Sequence, residues 1–123
     1  MTMIFDLKES RAIKNREAVQ YKLIDTIKKA NSNFQAYLAS KFIITLGDEW
    51  QGLLKYPCDY YSVIEFFHKN LDDINFYCGL GIGEITIHNF ELTVNQLDGP
   101  SFHLARKAIN IAKENDYSMV LIQ

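Results

Sequence analysis

Two apolar runs, Phe42-Ile43-Ile44-Thr45 and Gln51-Gly52-Leu53-Leu54, flank the segment Leu46-Gly47-Asp48-Glu49-Trp50. A Gly-Asp pair between such runs is a two-residue hairpin signal, because both residues tolerate the tight turn that joins antiparallel neighbours. The spacing predicts adjacent strands over 40–46 and 49–55. Every other element must then be arranged around a fixed antiparallel pair. The turn also has a chemical side. Asp48 and Glu49 are neighbouring carboxylates on a rigid tip, and hard oxygens of this kind suit a divalent cation. Asp6 ends another apolar run, Met1-Thr2-Met3-Ile4-Phe5, so a sheet could bring two acidic strand ends together.

The remaining elements alternate around the hairpin. Residues 2–6 read as a short strand. Over 14–31, Val19, Leu23, Ile27 and Ala30 fall on one helical stripe, which Ile24 widens. Asp59 is a fair N-cap for a helix over 60–71, where Val63, Ile64, Phe67 and Leu71 share a face. Residues 74–86 return to alternation, with Gly79, Gly81 and Gly83 leaving one face bare, which suits close approach of a helix or a ligand, close helix packing being the favoured reading. The stretch 87–98 reads either as a hairpin arm or as a functional loop. Gly99-Pro100 opens a helix with Ala105, Ala108, Ile109 and Ala112 on its apolar side, and Met119-Val120-Leu121-Ile122 is a closing strand. The order β-α-β-β-α-β, then α-β, predicts an α+β fold of ferredoxin-like plan: a mixed sheet with helices mainly on one face. In that plan Asp6 and the Gly47-Asp48 turn meet at one end of the sheet.

Composition narrows the function classes. A chain of 123 residues, 48% hydrophobic and 13% aromatic, fits one globular domain spanning 1–123 and excludes intrinsic disorder. The net charge of -2 offers no overall basic field for nucleic acid, although Lys and Arg gather at 8–16 and 106–113. No run approaches the ~20 apolar residues of a membrane span. Asp6, Lys8 and Glu9 interrupt any signal-peptide pattern, so a cytoplasmic location is expected, without a membrane partner. Cys58 and Cys78 lack metal or redox spacing and are expected as free thiols. His68, His88 and His103 show no zinc spacing. Ser10, Ser40 and Ser101 lack a nucleophile motif.

Four segments carry a family likeness: Phe5-Asp6-Leu7-Lys8-Glu9-Ser10, Leu46-Gly47-Asp48-Glu49-Trp50, Gly79-Leu80-Gly81-Ile82-Gly83-Glu84-Ile85, and Gly99-Pro100-Ser101-Phe102 followed by Ala105-Arg106. Their arrangement resembles the palm-like fold of class III nucleotidyl cyclases and GGDEF diguanylate cyclases. Along nearly its whole length the chain is more closely similar to the SatD family of small prokaryotic proteins. The cyclase resemblance implies metal-holding acids at Asp6 and Asp48, with Glu49 matching the second acid of the GGDEF signature. Mg²⁺ is the implied cofactor. Phosphate contacts are expected from Ser10, Arg11, Gly47 and Arg106, as cations and backbone donors near the same sheet end. The sequence departs from the full cyclase set: Phe102 stands where class III cyclases have Asn, and Leu46 replaces the first glycine of GGDEF.

Two functions follow as expectations. The first is a regulatory or nucleotide- and divalent-metal-binding module on a cyclase-like scaffold. The alternative is an active Mg²⁺-dependent nucleotidyl or phosphoryl transferase of cyclase type. The expected partners are a nucleoside triphosphate or another nucleotide, and a second copy in a homodimer, with contacts from 56–67 or 87–97. Many SatD-like chains continue into a C-terminal region of helix-turn-helix character. DNA is expected as a partner only through such a region, beyond Gln123.

Overall fold

A computed structural model describes residues 1–9, 13–72, 74–85, 94 and 98–123. In chain order the elements are β1 (Thr2–Leu7), α1 (Arg16–Asn33), β2 (Leu38–Leu46), β3 (Glu49–Leu54), α2 (Tyr60–Leu71), β4 (Phe76–Gly81), α3 (Pro100–Asn115) and β5 (Met119–Ile122). The five strands form one mixed sheet in the order β2-β3-β1-β4-β5. The central strand β1 runs antiparallel to both β3 and β4, while β5 is parallel to β4. The expected α+β element order is therefore present.

Alternation along β1 builds two cores. Met3, Phe5 and Leu7 point to one face, where they meet Leu23, Ile27 and Ala30 of α1 and Val63, Phe67 and Leu71 of α2. Trp50 of β3 stacks on Phe5 with ring centroids 5.2 Å apart, and Phe67 closes over both at 4.9 and 5.6 Å. Such offset and tilted aromatic packing adds to plain area burial. Ile4 points the other way, onto Ala105 and Ile109 of α3. The helices are thus split: α1 and α2 cover one face, as expected, and α3 covers the opposite face.

The glycines of β4 explain how α3 comes so close. A Cβ on Gly79 would lie 2.5 Å from the backbone nitrogen of Ile109, and one on Gly81 would meet the backbone of Ser101 and Ala105. Small residues on both surfaces let the helix lie against the strand backbone. Ser101 is buried there, its hydroxyl 2.9 Å from the Gly81 carbonyl and 2.8 Å from the Thr2 hydroxyl. This seam fixes the rotation of α3, and hence which of its side chains overlook the end of β1.

Local signals mostly place the remaining boundaries. Asp59 caps α2 by accepting from the Ser62 backbone N–H at 3.2 Å. Pro100 opens α3 at its first turn, where the missing N–H leaves no bond unmade. Three details differ from expectation. Strand β4 ends at Gly81, so Glu84 lies in an exposed non-strand segment. Thr26, not Ile24, completes the buried stripe of α1, its hydroxyl donating to the Lys22 carbonyl at 2.7 Å. Neither Gly47 nor Asp48 takes a positive φ. The β2–β3 register is irregular next to this turn, between Ile44 and Leu46. A further irregularity between Ser40 and Ile43 is bridged by Asn31, whose amide binds both the N–H and the C=O of Phe42 at 2.7 and 2.9 Å.

Gly79→Ala is expected to lower unfolding free energy by about 3 kcal/mol, because backbone rather than a flexible side chain must move. Chemical denaturation measures this, and Gly47→Ala serves as the contrast, since a Cβ there meets nothing within 4 Å. Equal losses in the two variants would contradict the seam.

Candidate functional site

The hairpin register brings the two acidic strand ends together. Asp6 is the direct cross-strand partner of Glu49, and the Leu7 N–H donates to the Asp48 carbonyl at 3.0 Å. Both partners face α3, continuing the alternation that sends Ile4 to that side and Phe5 and Trp50 to the other. Like charges directly opposite each other in a ladder repel. Helix α3 answers that repulsion with two cations set two turns apart on one face.

Arg106 forks onto Glu49, with Nη1 to Oε1 at 2.6 Å and Nη2 to Oε2 at 3.0 Å, and the Thr45 hydroxyl donates to Oε2 at 2.8 Å. Lys113 gives Asp6 one contact, Nζ to Oδ2 at 3.0 Å. The carboxylates are fixed and buried, with side chains 3% and 10% exposed, whereas Arg106 and Lys113 remain 45% and 48% exposed. The acids cannot retreat to water, but their partners can.

The two carboxyl groups respond in opposite directions. Burial pushes Asp6 above the usual aspartate range; Lys113 offsets this only in part, and the charges of Asp48 and Glu49 add to the rise. Burial also acts to raise Glu49, but the Arg106 fork and the Thr45 hydroxyl outweigh it and hold Glu49 below the usual glutamate range. Among the described residues, a bidentate guanidinium plus a hydroxyl satisfies one carboxylate well, while a single ammonium meets the other.

Of the residues singled out in the sequence, Asp6, Asp48, Glu49 and Arg106 converge at this sheet end. Gly47 occupies the exposed turn, its carbonyl held by the Arg16 guanidinium at 3.1 Å. Ser10, Arg11 and His88 lie outside the described residues. Among the described residues no group of three His, Cys, Asp or Glu side chains is placed to hold a metal ion, so Asp6, Asp48 and Glu49 do not form such a group in this conformation. Lys113 and Thr45 were not legible as site residues. The signals for Lys113 are its place in the basic stretch 106–113 and its spacing of seven from Arg106, which puts both on one side of a helix. Elsewhere, Cys58 and Cys78 are free thiols. His103 pairs with Asp98 at 3.3 Å, and the His68 ring stacks on Phe76. Within the expected contact surface 56–67, Tyr56 and Tyr61 are exposed; the stretch 87–97 lies outside the described residues apart from Val94.

The family model described as the SatD family matches residues 1–123, every residue of the sequence. The chain belongs to the SatD family. No curated protein and no solved structure matches it, so no structural neighbour supports the finer likeness to cyclase or GGDEF palms. Among the described residues of this SatD domain, no helix is long and apolar enough to cross a membrane.

The opposite shifts of the two acids separate their effects on stability. Glu49 contributes stability that is present above the ordinary glutamate range and lost as pH falls through its lowered value. Asp6 runs the other way: its contribution becomes more favourable as pH falls through its raised value. At pH 7, Asp6→Asn should keep or raise the melting midpoint. Glu49→Gln should lower it by roughly 8 °C, for about 2 kcal/mol lost with the charge-assisted bonds. Calorimetry on both variants checks this, and a comparable fall in both would contradict it.

Proposed function

We propose that this SatD domain is a regulatory module that binds a nucleotide together with a divalent cation, on a ferredoxin-like, palm-type scaffold. The strand order β4-β1-β3-β2, with two helices over one face, supports the scaffold. The observation that carries the binding reading is the asymmetry of the ion pairs: two buried acids on neighbouring strands, each neutralised by a half-exposed cation from one helix. Such partners are exchangeable. Arg106 and Lys113 can swing from carboxylate to phosphate through their outer, solvated halves, without unpacking the α3 seam.

The donor chemistry fits Mg²⁺, which commonly takes one or two carboxylates and completes its shell with phosphate oxygens and water. Asp6 and Asp48 would hold it, with Glu49 assisting once Arg106 has moved. Bound there, the cation would supply charge neutralisation of the phosphates. The chain's own residues do the rest. Arg106 offers a planar fork and Lys113 a point charge to phosphate oxygens. Gly47, Ser10 and Arg11 enter the phosphate set from the sequence pattern. Binding rather than turnover is the favoured reading, because Phe102 stands where the cyclase resemblance calls for Asn.

Thermal shift with Mg²⁺ and a panel of nucleoside triphosphates tests this. A midpoint rise that needs both components and disappears in Asp48→Ala is expected; saturation at one hundred times the dissociation constant adds about 2.7 kcal/mol. No rise with any triphosphate in the presence of Mg²⁺ would remove the reading.

A further inference from the structure

A cavity of about 670 Å³ opens beside the acidic pair, between the segment that leaves β1, the first turns of α1 and the start of β4. Its size falls within the range of small-molecule sites. Three lysines, Lys8, Lys14 and Lys22, line it against two acids, Glu9 and Asp116, although the whole chain carries a net charge of -2. Ile13, Val19, Ile74 and the Tyr77 ring add apolar and aromatic wall between them, alongside the polar Asn75. Cationic groups around apolar walls suit an anion with a flat body rather than a bare ion.

One corner already shows how an anion is received. The Asp116 carboxylate accepts from the Tyr77 hydroxyl at 3.2 Å and pairs with the Lys8 ammonium at 3.4 Å. The same ammonium sits over the Tyr77 ring, 4.8 Å from its centroid. Asp116 reaches this corner from the end of α3, where its backbone is left-handed with φ 54°. A mobile anion competing for the corner would meet the same hydroxyl and the same ammonium, with Lys14 and Lys22 on the facing wall.

We infer that this cavity binds a phosphate monoester carrying a flat apolar body, with its phosphate in the Lys8–Tyr77 corner in place of the Asp116 carboxylate. The body lies along Val19, Ile74 and the Tyr77 ring. Lysine is an effective phosphate binder as a point charge, and Lys14 and Lys22 neutralise what Lys8 cannot. No divalent cation takes part, nor does Asp6, Asp48 or Glu49, so this site goes beyond the metal-dependent one and stands or falls separately.

Calorimetric titration of the 123-residue chain with adenosine and guanosine 5′-monophosphate, in EDTA, tests the assignment. At least one nucleotide binds, inorganic phosphate and the free nucleosides bind at least tenfold more weakly, and Asp48→Ala leaves the affinity unchanged. The exposed pair Lys14→Glu and Lys22→Glu together weaken binding at least tenfold. Asp116→Asn, which keeps a residue tolerant of the left-handed backbone, tightens it several-fold by removing the resident carboxylate. A purely structural Asp116 gives no such gain. Absence of binding by both monophosphates, full affinity in the double lysine variant, or no gain in Asp116→Asn would each overturn the assignment. Failure in Asp48→Ala would overturn its independence from the metal-dependent site.

Discussion

Two carboxylates face each other at one end of the two central strands, and the arrangement of α3 is the answer to them. Asp6 and Glu49 are direct partners in an antiparallel ladder, where like charges oppose one another and water has little access. Helix α3 lies over them because the glycines of β4 admit its backbone, and that close approach sets Arg106 above one acid and Lys113 above the other. The seam and the ion pairs therefore depend on each other. Without the seam the cations would be too far away; without the cations the acids could not remain buried and charged.

The division of labour between the acids is what makes the cluster look functional. A structural carboxylate is normally given its full set of donors, as Glu49 is by Arg106 and Thr45. Among the described residues Asp6 receives one ammonium, and burial holds it above its ordinary range, with Asp48 and Glu49 adding to the rise. Perturbed groups of this kind concentrate at functional sites. The lysine-rimmed cavity adjoins the same sheet end, and Asp116 is its resident anion, pairing with Lys8 and Tyr77 where the proposed phosphate would sit.

Much of the fold was legible because it rests on local chemistry. The Gly47-Asp48 turn, the Asp59 cap, the Gly99-Pro100 start and the apolar stripes of α2 and α3 act within a few residues, and each is in place. The meeting of Asp6 with the hairpin followed from element order. What sequence could not supply was side and depth. The bare glycine face announced a close neighbour without saying which helix fills it, so α3 on the opposite face was not anticipated. The fork of Arg106 onto Glu49 was not legible, and Lys113, though inside the basic stretch 106–113, could not be tied to Asp6 because only the tertiary rotation of α3 turns it that way. Ile24 was misplaced for a related reason: periodicity marks a stripe, but packing against the sheet chooses Thr26 as its edge.

Neighbouring carboxyl groups in this cluster are driven apart in acidity by unequal partners, and the functional reading rests on the buried acids and half-exposed cations that set those partners. A carboxyl-¹³C NMR titration of the chain reads both groups directly. The expected result is an Asp6 midpoint above the usual aspartate range and a Glu49 midpoint below the usual glutamate range, with Glu49 moving up when Arg106 is replaced by Gln. Ordinary midpoints for both, or a Glu49 midpoint indifferent to Arg106→Gln, would contradict it.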